Sequence, residues 1–173
     1  MSTSTVDHSC AATEGEIGIL ARRRIEAGVI APIYEEMCAR LGEEVAQSII
    51  DAAIRKAAIA AGKSFAAKTP GGTSLRSFQQ LQTLWTQDDA LVISVEKATD
   101  EAFDYTVHRC RYAEMYREMG LGKIGHLLSC NRDYSFPQGY DSNIELERTQ
   151  TLMEGASCCD FKYRYTNKQE ERQ

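Results

Sequence analysis

The chain contains no stretch of roughly 18 to 20 consecutive apolar residues, so nothing in it reads as a membrane-spanning helix. The segment Met1 to Glu14 has neither the basic start nor the apolar centre of a secretory signal, and a cytoplasmic location is expected. Positive charge is not in excess: 20 Lys and Arg stand against 25 Asp and Glu, a formal net charge of -5. That balance argues against a general affinity for nucleic acid or for anionic membranes, so neither is expected as a partner. There is no Cys-x-x-Cys pair. Gly71 and Gly72 are not followed by the lysine and hydroxyl of a phosphate-binding loop, and no Gly-x-Ser-x-Gly elbow occurs. Proline is scarce, with three residues, Pro32, Pro70 and Pro137.

What remains is an ordinary soluble composition, 43% hydrophobic and 26% charged over 173 residues. A chain of this length buries roughly two thirds of the surface its unfolded form exposes, so a core without disulfide staples is the default. Residues 1–14 read as a disordered lead-in, 15–166 as one domain and 167–173 as a polar tail. In a reducing compartment the six cysteines become candidates for thiol chemistry, metal ligation or packing.

Apolar residues from Ile17 to Leu41, among them Leu20, Ile25, Val29, Ile33 and Met37, recur at spacings of three and four and predict a helix that Pro32 kinks or divides. The triplet Arg22, Arg23 and Arg24 inside it reads as a solvated helix face. After Gly42 a second, alanine-rich helix is predicted from Glu43 to about Lys68, with Val45, Ile49, Ala53, Ala57, Ala60 and Phe65 near one face. A third, capped helix runs from Ser74 to Trp85. From Ala90 the period changes to two, which predicts a hairpin through Thr99, Asp100 and Glu101. Short helices are expected over Tyr112 to Met119 and Leu121 to Cys130, a turn over Phe136 to Gly139, and strands over Asn143 to Leu152 and Cys158 to Tyr165. The fold class is α+β, with N-terminal helices packed on a C-terminal antiparallel sheet and short helices interspersed. The long apolar faces of the first two helices make a homo-oligomer possible.

Chemistry-bearing residues concentrate between His108 and Asp160. In GHLLSCNRD, His126 and Cys130 are four apart, so on a continuous helix the imidazole could reach and activate the thiol. The plainer alternative is a buried Cys130 and a surface His126. In SCCDF, Cys158 and Cys159 must point to opposite faces of a strand, and Cys159 is the inward one because Phe161 and Tyr163 share its face. No cofactor is expected. The alternative is zinc, for which His126, Cys130, Cys159 and Cys110 could supply four ligands.

Several motifs occur in order along the chain: Cys110, Cys130 with Asp133, the run Arg148 to Leu152, and Gly155 with Cys159, Asp160 and Phe161. This series resembles the L-2-amino-thiazoline-4-carboxylic acid hydrolase family, and the likeness extends to Ala21–Met37 and Trp85 in the helical half. The resemblance implies hydrolytic opening of a small nitrogen heterocycle. It further implies that Cys130, Asp133, Cys159 and Asp160 converge as the catalytic set, Cys130 being the nucleophile and the aspartates acid/base or orienting groups. Arg148 would clamp a substrate carboxylate, with His126 and Cys110 completing the binding site. Structural alternatives stand beside these roles: Arg148 pairing with Glu145 or Glu147, Asp133 capping a helix, Asp160 capping a turn. Two other functions also fit the pattern, a small-molecule binding or sensing module with a cysteine-lined pocket and a zinc-stabilised interaction domain.

Overall fold

The computed structural model describes residues 17–166; the lead-in over 1–14 and the tail over 167–173 lie outside the described residues. Helix α1 (Ile19–Leu41) runs through Pro32 as one helix, and α2 (Glu43–Lys68) begins after a single residue. That residue is Gly42, at φ 86°, a left-handed backbone that a side chain would strain. Helix α3 (Leu75–Thr86) opens on a capping box in which Ser74 Oγ accepts from the Ser77 N–H at 3.0 Å and Ser77 Oγ accepts from the Ser74 N–H at 2.9 Å.

On α2, and in part on α1, the face turned to the core differs from the one the apolar spacing predicts. On α1 the inward residues are Leu20, Ala27, Ile30, Tyr34 and Met37, while Ile25 and Val29 are each 60% exposed. Spacing conceals the inward face because it carries Arg23 and Tyr34, whose apolar stems pack while their polar ends reach other groups. On α2 the buried stripe is Ala46, Ile50, Ile54, Ala58 and Gly62, one residue along from the expected Val45, Ile49, Ala53 and Ala57. Small residues occupy that stripe because another helix lies almost in backbone contact with it.

That helix is α5 (Asn131–Tyr140), which takes the place of the turn expected over Phe136 to Gly139. A Cβ on Gly139 would stand 2.0 Å from the Ile59 carbonyl oxygen, and one on Gly62 would stand 2.3 Å from the Phe136 carbonyl oxygen. Gly139 is therefore a contact glycine and not a turn glycine. Pro137 costs the helix a hydrogen bond, which packing offsets: Phe136 meets Phe65, Phe78, Trp85 and Tyr140 at ring-centroid distances between 5.4 and 6.2 Å. Ahead of α5 come α4 (Arg111–Glu118) and a five-residue π-helical turn, His126–Cys130.

The sheet comprises β1 (Leu91–Ala98), β2 (Ala102–Cys110), β3 (Ile144–Glu147) and β4 (Cys159–Tyr165), ordered β1-β2-β4-β3 with every pair antiparallel. Phe103, Tyr105 and Val107 on β2 lie opposite Tyr163, Phe161 and Cys159 on β4, and all six are buried. They share one face because side chains alternate along a strand. β3 is shorter than the predicted Asn143–Leu152, since the chain leaves the ladder after Glu147. One apolar core gathers Ala27, Ile54, Tyr112, Tyr116 and Leu128; an aromatic core gathers Phe78, Tyr105, Phe136, Phe161 and Tyr163; Leu91 and Cys110 pack against both. Among the described residues, no helix is long and apolar enough to cross a membrane.

Candidate functional site

The two cores do not close on each other. A cavity of about 670 Å³ remains, walled by residues of α2, α3, α5 and the inner sheet face, including Phe65, Trp85, Tyr105, Phe136 and Phe161. This volume lies in the range of small-ligand sites, and the mixture of aromatic walls with a few polar groups is their usual chemistry.

Cys110, Cys130, Asp133, Arg148 and Cys159 all line this cavity. Cys130 closes the π-helical turn and Asp133 lies in the first turn of α5, which continues directly from it. Arg148, just past β3, donates from Nη1 to Asp133 Oδ2 at 2.6 Å and from Nη2 to the Cys130 carbonyl at 3.2 Å. Its guanidinium carbon lies 5.0 Å from the Tyr134 ring centroid and 4.9 Å from that of Phe161. The partner of Arg148 is therefore Asp133, not Glu145 or Glu147. The Arg148 side chain is 4% exposed and that of Asp133 31%, on the cavity side. Burial pushes the Asp133 carboxyl above its ordinary value, with Arg148 pulling it the other way. Burial opposes the Arg148 charge, but Asp133 and its other neighbours hold it above its ordinary value, so the arginine stays cationic.

The three thiols sit differently from reactive ones. Burial raises Cys110 to about 11. It also raises Cys130, where the Asp133 charge adds to the effect, and Cys159, despite the Leu152 N–H donated to its sulfur at 3.2 Å. Un-ionised thiols are poor nucleophiles. Cys158, the residue before β4, accepts from Gln150 Nε2 at 3.0 Å and does not line the large cavity.

Asp160 and His126 are not in the large cavity. Asp160 accepts from the Thr149 N–H at 3.0 Å, the Gln150 N–H at 2.9 Å and Thr149 Oγ1 at 2.7 Å. Burial works against its charge, but these donors outweigh it and hold the carboxyl below its ordinary value. It thereby pins the backbone next to Arg148. His126 lines a smaller, polar cavity of about 140 Å³ with Tyr134, Thr149, Gln150 and Glu154, and Cys130 and Arg148 border both spaces. His126 and Cys130 both line the small cavity, away from Cys159 and Cys110. Among the described residues, no three His, Cys, Asp or Glu side chains are grouped as around a metal ion.

The ordered motifs form one interlocking unit. The Cys-x-x-Asp turn supplies the carboxylate for Arg148; the residue after Arg148 is held by Asp160; Leu152 reaches the Cys159 sulfur; Phe161 lies under the guanidinium. Sequence reasoning missed Arg23, Arg132 and Phe136, which also line the cavity. A signal for Phe136 existed in its spacing of four from Arg132 and Tyr140, but Pro137 and Gly139 masked it.

Comparison with known proteins agrees with this architecture. The family profile described as L-2-amino-thiazoline-4-carboxylic acid hydrolase matches residues 22–163. No curated protein matches the chain significantly. Among solved structures, the chain is similar to the phenol-responsive sensory domain of the transcription activator PoxR, solved with phenol. That alignment has a TM-score of 0.52 and 10% identity over 85% of this chain and 76% of that one. It is also similar to a trafficking protein particle complex subunit 3 from Naegleria fowleri covalently bound to palmitic acid. There the TM-score is 0.50 and the identity 7%, over 83% of this chain and 97% of the other. At such identities the likeness is one of fold alone.

Proposed function

The chain belongs to the L-2-amino-thiazoline-4-carboxylic acid hydrolase family, and from that premise we propose that it hydrolyses a small, flat, nitrogen-containing ring held in the aromatic cavity. The observation that supports this best is the Asp133–Arg148 pair at the cavity wall, with the aspartate raised by burial. A carboxyl that burial raises above its ordinary value is better suited than an ordinary one to exchange protons during turnover.

The reaction consistent with this arrangement is addition of water to an sp2 ring carbon bonded to two heteroatoms. Asp133 takes a proton from the attacking water while the oxygen bonds to carbon and the C=N or C=O π pair moves onto its heteroatom, to return as the ring bond breaks. The ring C–N or C–S bond then breaks, and Asp133 returns the proton to the departing heteroatom. Arg148 stays charged beside Asp133 throughout and steadies the aspartate as it changes charge. The family resemblance implies Cys130 as the nucleophile; because its thiol is held un-ionised, we assign the attack to water and give Cys130, Cys159 and Cys110 the role of cavity wall. Asp160 becomes a positioning residue for the Arg148 segment.

The test is to incubate thiazolines, cyclic amidines, imidazolones and cyclic amides with the protein and scan for products heavier by one water. Asp133→Asn is expected to abolish the change while ligand still binds, with circular dichroism showing the fold intact. A second reading is favoured by the raised thiols and aromatic walls: a binding or sensing module that holds a ring without turning it over. If several rings bind reversibly and none gains water, that reading replaces hydrolysis.

A further inference from the structure

Helix α1 turns an apolar face to solvent, opposite the one it buries. Ala27, Ile30 and Tyr34 pack inward, whereas Ile25 and Val29 are 60% exposed and Ile33 is 50% exposed. From Ile25 through Tyr34 no exposed residue carries a polar side chain; the exposed side chains are those of Ile25, Val29, Pro32 and Ile33. Single exposed apolar residues are ordinary, but a contiguous row of them on one helix face marks a contact surface.

Charge reverses from one end of this row to the other. Arg22 and Arg24 are exposed at its N-terminal end, Glu35 and Glu36 at its C-terminal end. Arg22, Ile25, Val29, Pro32 and Glu36 follow one another at intervals of three, four, three and four, the seam spacing of two helices whose axes lie nearly aligned. The pattern is symmetric about Val29: Ile25 and Ile33 each lie four residues from it, Arg22 and Glu36 each seven. Such a helix complements itself when reversed. Two copies of α1 running antiparallel about a two-fold axis at Val29 set Ile25 against Ile33 and Arg22 against Glu36, twice over, whereas a parallel pair would set like charges together. Within the chain Glu36 pairs with Arg40, their side chains 60% and 74% exposed, a solvent-screened contact that a further partner can join.

We propose that the exposed face of α1 is a dimer interface, covered by a second copy of the chain packed antiparallel across Ile25, Val29 and Ile33. At 23 residues the helix is about 35 Å long, which gives an interface at the small end of the usual range and a dissociation constant on the order of micromolar. Ile19 and Arg22, in the first turn of α1, also line the large cavity, so Glu36 of the second copy stands at the rim of that cavity, beside Arg22. The pairing does not depend on what the cavity does to its ligand.

Sedimentation velocity of the full chain from about 1 to about 100 μM reads the equilibrium, and the protein is expected to pass from monomer to dimer over that range. Val29→Glu falls on a site exposed in the single chain, so the fold is kept, which circular dichroism checks; it is expected to weaken association about a hundredfold. Val95→Glu, at a position on β1 that is 52% exposed, is expected to leave association unchanged. Arg22→Glu and Glu36→Arg each bring like charges together and are expected to weaken it about tenfold. Mixed in equal amounts, these two variants restore opposite charges at both contacts and should associate as tightly as the parent. A chain that stays monomeric throughout, whether or not it sediments with anionic vesicles, overturns the pairing. So does a folded Val29→Glu protein that dimerises like the parent, or a mixture of the charge variants no tighter than its components.

Discussion

Replacing Gly139 by alanine adds one methyl group at the tightest point between α2 and α5. The new Cβ would stand 2.0 Å from the Ile59 carbonyl oxygen, where ordinary contact begins at 3.4 Å, so the helices must part at that point. The obstructing atom is backbone inside a helix and cannot swing aside. Overpacking of this kind costs about 3 kcal/mol at the upper end of its usual range. Alanine returns about 1 kcal/mol of helix propensity, which leaves a net loss of about 2 kcal/mol. For a domain this size that is a fall in Tm of about 4 to 8 °C. Gly28→Ala on α1 is the matched control, because nothing lies within 4 Å of its added Cβ, and there the same methyl should stabilise by up to about 1 kcal/mol. Urea unfolding monitored by circular dichroism reads both. The walls move too, since α5 carries Asp133 and Phe136 and α2 carries Ala58, Ala61 and Phe65 to the cavity, so ring binding should weaken in Gly139→Ala. If the two glycine variants differ by less than about 0.5 kcal/mol, the close crossing of α2 and α5 is wrong.

Cys130→Ser should keep turnover within about tenfold of the parent, measured on whichever ring gains water; loss of nearly all turnover in a folded variant returns the attack to the thiol. Alkylation and peptide mapping should show Cys158 and Cys38 labelled well before Cys110 and Cys130, because burial raises the latter two thiols, and early labelling of Cys130 contradicts its burial. Arg148→Met should destabilise by about 3 to 5 kcal/mol by leaving Asp133 enclosed without its cation, and denaturant midpoints check this. Asp160→Ala should cost about 1 kcal/mol near neutrality. Because the folded carboxyl is lowered, its contribution is full above the unfolded pKa of about 4 and disappears as pH falls through the lower folded value; a penalty that is unchanged in strong acid speaks against the charged hydrogen bonds.

Much of the architecture is legible in the sequence because it rests on local signals. Gly42, the Ser74 cap and the change of period at Ala90 bound their elements in the chain as in the structure. The failures share a cause, which is contact between residues far apart in sequence. Gly139 and Pro137 look like turn residues unless α2 is known to lie against them. Ile25 and Val29 look like a core stripe unless Ala27 and Arg23 are known to face inward. At the site, Cys130, Asp133, Cys159 and Arg148 are linked in the sequence by a motif order that local chemistry does not explain. Arg23 and Arg132, 109 positions apart with Glu26 between them in space, stay hidden because a run of arginines on a helix ordinarily faces water.

The π-helical turn at His126–Cys130 acts as a phase shifter for α5. A helix of 3.6 residues per turn advances about 100° with each residue, and a π turn holds one residue more than an α turn. Shortening this segment by a single residue would rotate the whole of α5 by about a quarter turn or slightly more. Asp133 would swing off Arg148 and Gly139 would swing off Ile59 together, since both are fixed to one rigid screw. Length within His126–Cys130 is therefore constrained more tightly than residue identity there: side chains can be exchanged for others of similar size, whereas one deletion would break the ion pair and the helix crossing at once.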